Sequence, residues 1–216
     1  MNKEFQCKGG KLKKYTGPGG RVVLPEGITE IGNSVFENRK DITQVVLPKG
    51  VTKIGTYAFS SCGLTHLTVP EGVVEIMSKA FCNCFGLIQV ELPDSLVQLG
   101  KWAFFGCRSL VKIDLPDGIE KIGDSAFYQC TSLQQITLPA GLVCIDGRAF
   151  YRCDSLRRVD LPPKVAEVKN GAFLECRSLE YVEIQGKETT VKSGAFRGCP
   201  VKEMVRRQPP ASSSLP

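Results

Sequence analysis

The sequence predicts an α/β solenoid, a right-handed superhelix rich in β-structure, with short strands and short helical turns repeated about eight times. Three columns of residues predict it. Cys62, Cys84, Cys107, Cys130, Cys153, Cys176 and Cys199 recur at intervals of 22 or 23 residues, each three places after a phenylalanine. Phe36, Phe59, Phe81, Phe104, Phe127, Phe150, Phe173 and Phe196 keep the same beat, as do Pro25, Pro48, Pro70, Pro93, Pro116, Pro139 and Pro162. A period of this length marks units that bury their apolar faces only against their neighbours.

Ile113 to Gln135 illustrates one unit. Lys112, Ile113, Asp114 and Leu115 alternate polar and apolar, the signature of a half-buried strand. Pro116 ends the strand because it cannot donate to a ladder, and Gly118 turns the chain. Ile119 and Ile122 predict a second brief strand, after which Gly123 turns the chain again. From Asp124 the spacing of Ala126, Phe127 and Cys130 fits one face of a short helix capped by Asp-Ser. So short a helix has no stability of its own and depends on burial of the phenylalanine.

At the start, Phe5 to Cys7 and Leu12 to Tyr15 flank Gly9-Gly10 and predict a hairpin, so residues 1–20 read as an N-terminal cap. The solenoid is expected over residues 21–205, and 206–216, rich in Pro and Ser, as a disordered tail. One residue is missing between Cys62 and Leu64 relative to Cys107 and Leu110, a loss confined to a turn.

Composition bounds the function. The 216 residues are 42% hydrophobic, enough for a core, and the net charge of +6 is spread as mixed charges along every unit, so nucleic acid is not implied. No run approaches the roughly 18 apolar residues of a membrane span. Met1 is followed by Asn-Lys-Glu, so the chain as it stands reads as cytoplasmic, or as a cell-surface protein if a signal peptide is missing from it. Ten cysteines in an extracellular chain suggest disulfides. Equivalent positions stack about 4.8 Å apart, which a disulfide permits, but parallel side chains and an odd number favour a ladder of reduced, buried thiols. Cys7, Cys82 and Cys144 fall outside it, and the Cys82-x-Cys84 pair lacks the further ligands of a zinc site. No cofactor or metal is expected.

Catalytic motifs are absent. His66, the single histidine, occupies a strand column otherwise held by Gln44, Gln89, Lys112, Gln135, Arg158 and Tyr181, which makes it a surface residue. Two columns are candidate partner-binding surfaces. On the strand, Glu91, Asp114, Asp160 and Glu183 form an acidic stripe that either attracts a cationic partner or is screened by Lys112 and Arg158. After the buried phenylalanine, Phe105, Tyr128, Tyr151 and Leu174 place large apolar groups where other units are polar, with Trp102 nearby. They form either an interaction patch or a ridge of rings that cover one another.

The unit Leu-x-x-Ile-x-Leu-Pro-x-Gly-Ile-x-x-Ile-Gly-x-x-Ala-Phe-x-x-Cys, as in Leu110 to Cys130, resembles the BspA-like leucine-rich repeats. That resemblance implies a leucine-rich-repeat solenoid, and the residues read as a non-catalytic scaffold for protein–protein interaction, a monomer with a protein partner. The resemblance implies an alternative, a cell-surface adhesin or surface antigen, if the chain is exported or part of a longer one.

Overall fold

The computed structural model describes residues 3–206. Strands β1 (Phe5–Lys8) and β2 (Lys11–Tyr15) pair as an antiparallel hairpin. Each coil then contributes a longer strand followed by a two-residue strand: β3 (Gly20–Val23) and β4 (Glu30–Ile31), β5 (Ile42–Val46) and β6 (Lys53–Ile54), β7 (His66–Thr68) and β8 (Glu75–Ile76), β9 (Gln89–Glu91) and β10 (Gln98–Leu99). The series continues with β11 (Lys112–Asp114) and β12 (Lys121–Ile122), β13 (Gln135–Thr137) and β14 (Cys144–Ile145), β15 (Arg158–Leu161) and β16 (Glu167–Val168). It closes with β17 (Tyr181–Ile184), β18 (Thr190–Val191) and β19 (Glu203–Arg206). Pairing between successive coils is parallel, and the hairpin joins the short-strand face because β2 pairs with β4. The Pro- and Ser-rich tail expected from Arg206 lies outside the described residues apart from Arg206 itself, which ends β19.

The molecule is a β-solenoid, and the α component of the expected α/β class is corrected: among the described residues there is no helix. The segment around each phenylalanine is an arc of turns instead. Residues two places before and two places after the phenylalanine take a left-handed conformation, as Ser125 (φ 53°) and Gln129 (φ 56°) do around Phe127. Alternate amides then point along the solenoid axis. Ser125 donates to Gly147, Phe127 to Ala149 and Gln129 to Tyr151 in the next coil, while Ala126, Tyr128 and Cys130 donate three residues back. A helix would have sent all of these amides four residues back and left the coils joined by side chains alone. Here the turn itself is a ladder.

The arc also explains the cysteines. Each phenylalanine carbonyl accepts the amide three residues on, and its second lone pair would be stranded in the core. The ladder thiol of the next coil fills that place: Cys107 Sγ lies 3.1 Å from Phe81 O, Cys130 Sγ 3.1 Å from Phe104 O, and Cys153 Sγ 3.2 Å from Phe127 O. Cysteine is small enough for the column and still a donor, which alanine or valine is not. All ten cysteines are free thiols. Burial pushes the Cys62 thiol up to about 11 and raises Cys107, Cys130 and Cys153 well beyond the ordinary range. Iodoacetamide at neutral pH is therefore expected to label Cys7, Cys144 and Cys199, which are half-buried, and to spare buried Cys82 and the six inner ladder thiols, Cys62, Cys84, Cys107, Cys130, Cys153 and Cys176, until the protein unfolds. Mass spectrometry of the native adducts reads this directly, and rapid labelling of Cys130 would contradict the ladder.

The phenylalanine rings form one continuous stack, with centroids 4.9 to 5.4 Å apart from Phe36 to Phe196. Tyr15 and Phe5 of the hairpin extend it at 5.5 and 5.0 Å. On the short-strand face Asp146 replaces the glycine that follows the strand in several other coils. Its carboxylate, 9% exposed, sits between Lys121 (3.0 Å) and Lys169 (2.6 Å). Burial alone would raise its pKa, but the hydrogen bonds from Lys169 and Lys121 win and hold it below the usual range. A depressed folded-state pKa stabilises above the unfolded value near 3.9 and loses that stability as pH falls through the folded one. Because both lysines are largely in water, Asp146→Asn should cost about 1 kcal/mol at pH 7, and the difference from the parent should shrink as pH falls through the lowered Asp146 pKa. Urea titrations at pH 7 and pH 3 test this, and an equal cost at both would remove the ion pairs from the explanation.

Candidate functional site

The longer strands do not form one sheet. They divide into β3-β5, β7-β9-β11-β13 and β15-β17-β19. The break between β5 and β7 falls at the shortened unit, and the core there stays sealed. The break between β13 and β15 is different. A backbone bond links Thr65 to Thr43, Ile88 to Thr65, Val111 to Ile88, Gln134 to Val111 and Glu180 to Arg157, but among the described residues Arg157 makes no such bond to Gln134. On the opposite face β14 and β16 remain paired, through Cys144 with Glu167 and Ile145 with Val168. The coils are thus closed on one face and parted on the other.

The parted seam is an open cleft of ≈ 760 Å³ whose lining includes Lys112, Gln135, Ile136, Arg157, Arg158 and Asp160. Its opening reaches the core. Val90, Ile113, Val159 and Val182 are buried in the inward strand column, whereas Ile136 is only half-buried, as is Leu138 two residues on.

Side chains on the two sides of the seam explain why it opens. Thr137 Oγ1 donates to Asp114 Oδ1 at 2.5 Å, tying β13 back to β11. Arg158 turns the other way: its guanidinium meets Asp160 at 2.8 Å and Glu183 at 2.9 Å, and lies 4.1 Å from the Tyr181 ring centroid. Each side is saturated by its outer neighbour, so nothing on the strand face draws the two together.

The acidic residues of the strand column are placed within this pattern. Glu91 accepts from Thr68 (2.9 Å) and Gln89 (3.2 Å), while Asp114 accepts from Thr137 and pairs with Lys112 at 3.0 Å. These two like charges therefore turn away from each other, and β9 and β11 keep a single register pair, Lys112 with Gln89. Hydrogen bonding from Thr137, then Lys112, lowers the Asp114 pKa against its partial desolvation. Asp160 is on the rim of the seam and Glu183 is buried beneath Arg158.

The apolar column lies away from the seam, on the arc that follows each buried phenylalanine. Phe105 stacks on Tyr128 at 4.7 Å and Tyr128 on Tyr151 at 4.5 Å. All three rings are half-buried, as is Leu174 in the next coil. Trp102 makes no ring contact with that stack; Lys79 Nζ sits 4.6 Å from its centroid and bonds Tyr57 Oη at 2.6 Å. His66 is exposed on β7. Sequence reasoning did not single out Gln134, Arg157, Ser155 or Ile136. The legible signal was a threonine opposite Asp114 and an arginine two places before Asp160.

Among the described residues there is no cluster of side chains able to hold a metal ion, and no helix long and apolar enough to cross a membrane. Comparison with known proteins agrees with the coil geometry. The model of the BspA type leucine rich repeat region matches in six copies over residues 19–113 and 74–202. A leucine-rich repeat protein from Bacteroides ovatus is similar at 27% identity and a TM-score of 0.72, over 86% of this chain and 55% of that one. A leucine-rich repeat protein from T. pallidum is similar at 26% identity and a TM-score of 0.64, over 88% of this chain and 85% of that one. A leucine rich cell surface protein from Faecalibacterium prausnitzii, at 24% identity, a TM-score of 0.57 and coverage of 89% and 60%, shares the fold. The chain thus spans between half and two thirds of the Bacteroides and Faecalibacterium proteins. No curated protein matches. With its arcs, thiol ladder and strand faces in the register that this repeat demands, the chain belongs to the BspA-type leucine-rich repeat family.

Proposed function

We propose that the chain is a non-catalytic protein-interaction scaffold, a monomer whose strand face carries the binding site. The observation that supports this most is the seam between β13 and β15, a cleft with polar walls and a partly uncovered core. A rigid framework with such an opening invites a ligand whose own groups complete it. Asp114 and Asp160, held by Lys112 and Arg158, order the walls, while Glu91 and Glu183 fix the flanking strands. Trp102, Phe105, Tyr128, Tyr151 and Leu174 offer a second, drier surface on the ridge. A reducing, cytoplasmic setting suits the buried thiols, since each one serves as a donor that a disulfide would remove.

Affinity purification with mass spectrometry tests the proposal, using the parent chain, an Arg157→Glu/Gln135→Ala variant of the seam and a Tyr128→Ser/Tyr151→Ser variant of the ridge. Partners retained by the parent and ridge variant but lost by the seam variant are the expected result. Loss on the ridge variant alone would move binding to the aromatic column. Identical protein sets from all three, at matched thermal stability, would end the scaffold reading at both surfaces.

A further inference from the structure

We infer that the seam between β13 and β15 accepts an extended, acidic peptide segment as an inserted parallel strand. This rests on the scaffold reading above and names the partner class for that site. A parted sheet presents two strand edges, and only another extended backbone satisfies both together. The bond that every neighbouring coil makes at this level is missing between Arg157 and Gln134, so backbone donors and acceptors face the cleft from either side. The cleft of ≈ 760 Å³ falls within the usual range for ligand pockets of about 300–1,000 Å³.

The side-chain pattern of the guest follows from the columns it would join. Its inward residue meets half-buried Ile136, and the next inward one meets half-buried Leu138, so both are aliphatic. Its outward residues stand between Gln134 and Arg157 and between Gln135 and Arg158. Of the cations lining the cleft, Lys112 is met by Asp114 and Arg158 by Asp160 and Glu183, whereas among the described residues Arg157 has no ion-pair partner. A carboxylate is favoured beside Arg157, and at the second position a glutamate has neutral, exposed Gln135 as its hydrogen-bonding neighbour. The remaining outward residue stands between Thr137 and Asp160. Elsewhere on this face a threonine hydroxyl meets the neighbouring coil's carboxylate, as Thr68 does Glu91 at 2.9 Å. Threonine is therefore favoured there, and the guest reads Glu-Glu-Ile-Thr-Leu.

The probe is acetyl-Glu-Glu-Ile-Thr-Leu-amide, with two controls: the same peptide N-methylated at isoleucine, and one with lysine in place of both glutamates. Hydrogen exchange and amide-resolved NMR of the full chain are the readouts. The acidic peptide should bind saturably and slow exchange of the Leu138 and Arg157 amides at least tenfold. N-methylation should abolish that protection, and Arg157→Gln should weaken binding of the acidic peptide about three- to fivefold without affecting the lysine peptide. Equal binding of the N-methylated peptide would overturn strand insertion. So would Leu138 and Arg157 amides that exchange as slowly without peptide as those of β11, or concentration-dependent self-association lost on Arg157→Gln, which would assign the seam to a second copy. If no peptide binds while the seam variant still loses its captured partners, strand insertion is rejected and the scaffold reading survives.

Discussion

Phe127→Ala will destabilise the solenoid by about 3–5 kcal/mol, the range for deleting a buried phenylalanine side chain. Phe127 is fully buried, and its ring lies 5.4 Å from Phe104 and 5.3 Å from Phe150, tilted from them by only 6° and 2°. The column is rigid on both sides, so the hole has little freedom to collapse. Its own backbone raises the stakes: the Phe127 amide bonds Ala149 in the next coil, and its carbonyl accepts from the Cys130 amide and the Cys153 thiol. In a stacked array stability is a sum of units and their interfaces, and removing this ring weakens two interfaces at once. Phe196, half-buried and stacked on one side only, provides the internal comparison. Phe196→Ala should cost about half as much. Urea unfolding monitored by circular dichroism reads both variants, and equal losses would mean that the stack does not couple the coils.

The period, the strands and the buried columns were legible because each is written at a fixed spacing. Val45, Leu67 and Ile113 face inward for the reason that any alternating strand does, and their assignment needed no knowledge of neighbours. The arc was misread because Ala126, Phe127 and Cys130 share a face both in a helix and in a turn with two left-handed residues. The discriminating positions are those two residues from the phenylalanine. Asn38, Asn83, Gly106, Gly171 and Gly198, all with positive φ, are residue types that tolerate it. Tyr57, Trp102 and Arg152 hold the same conformation without that preference, imposed by the inter-coil bonds. The seam was less legible still. Lys112, Asp114, Arg158 and Asp160 were visible as charges in columns, but a column does not say which neighbour each side chain will choose. Arg158 pairs with Glu183 rather than reaching back, and Thr137 turns to Asp114, so β15 and β13 are left unpaired.

Gly63→Ala, the smallest change in the chain, should cost about 2–4 kcal/mol, in the upper range for overpacking, because what it strikes is backbone. The unit containing Cys62 is one residue short, and the chain crosses from Cys62 to Leu64 pressed against the coil below. Gly63 donates to Arg39 O at 3.1 Å, and the Cys62 thiol, shifted from its usual partner, also bonds Arg39 O, at 3.3 Å. A Cβ on Gly63 would overlap the Lys40 carbonyl oxygen and lie 2.9 Å from Lys40 C and 3.0 Å from Ile42 O. Backbone atoms already committed to the ladder have no rotamer by which to move aside, so the coils must part. Replacing Gly63 by the dipeptide Arg-Ser, the turn that follows Cys107, restores the full length and lifts the crossing away from Lys40. That larger edit should stay within about 1 kcal/mol of the parent, as changes in surface loops do. Thermal unfolding of both variants settles the cause: if the dipeptide is as damaging as alanine, the shortened turn is not what forces glycine at this position.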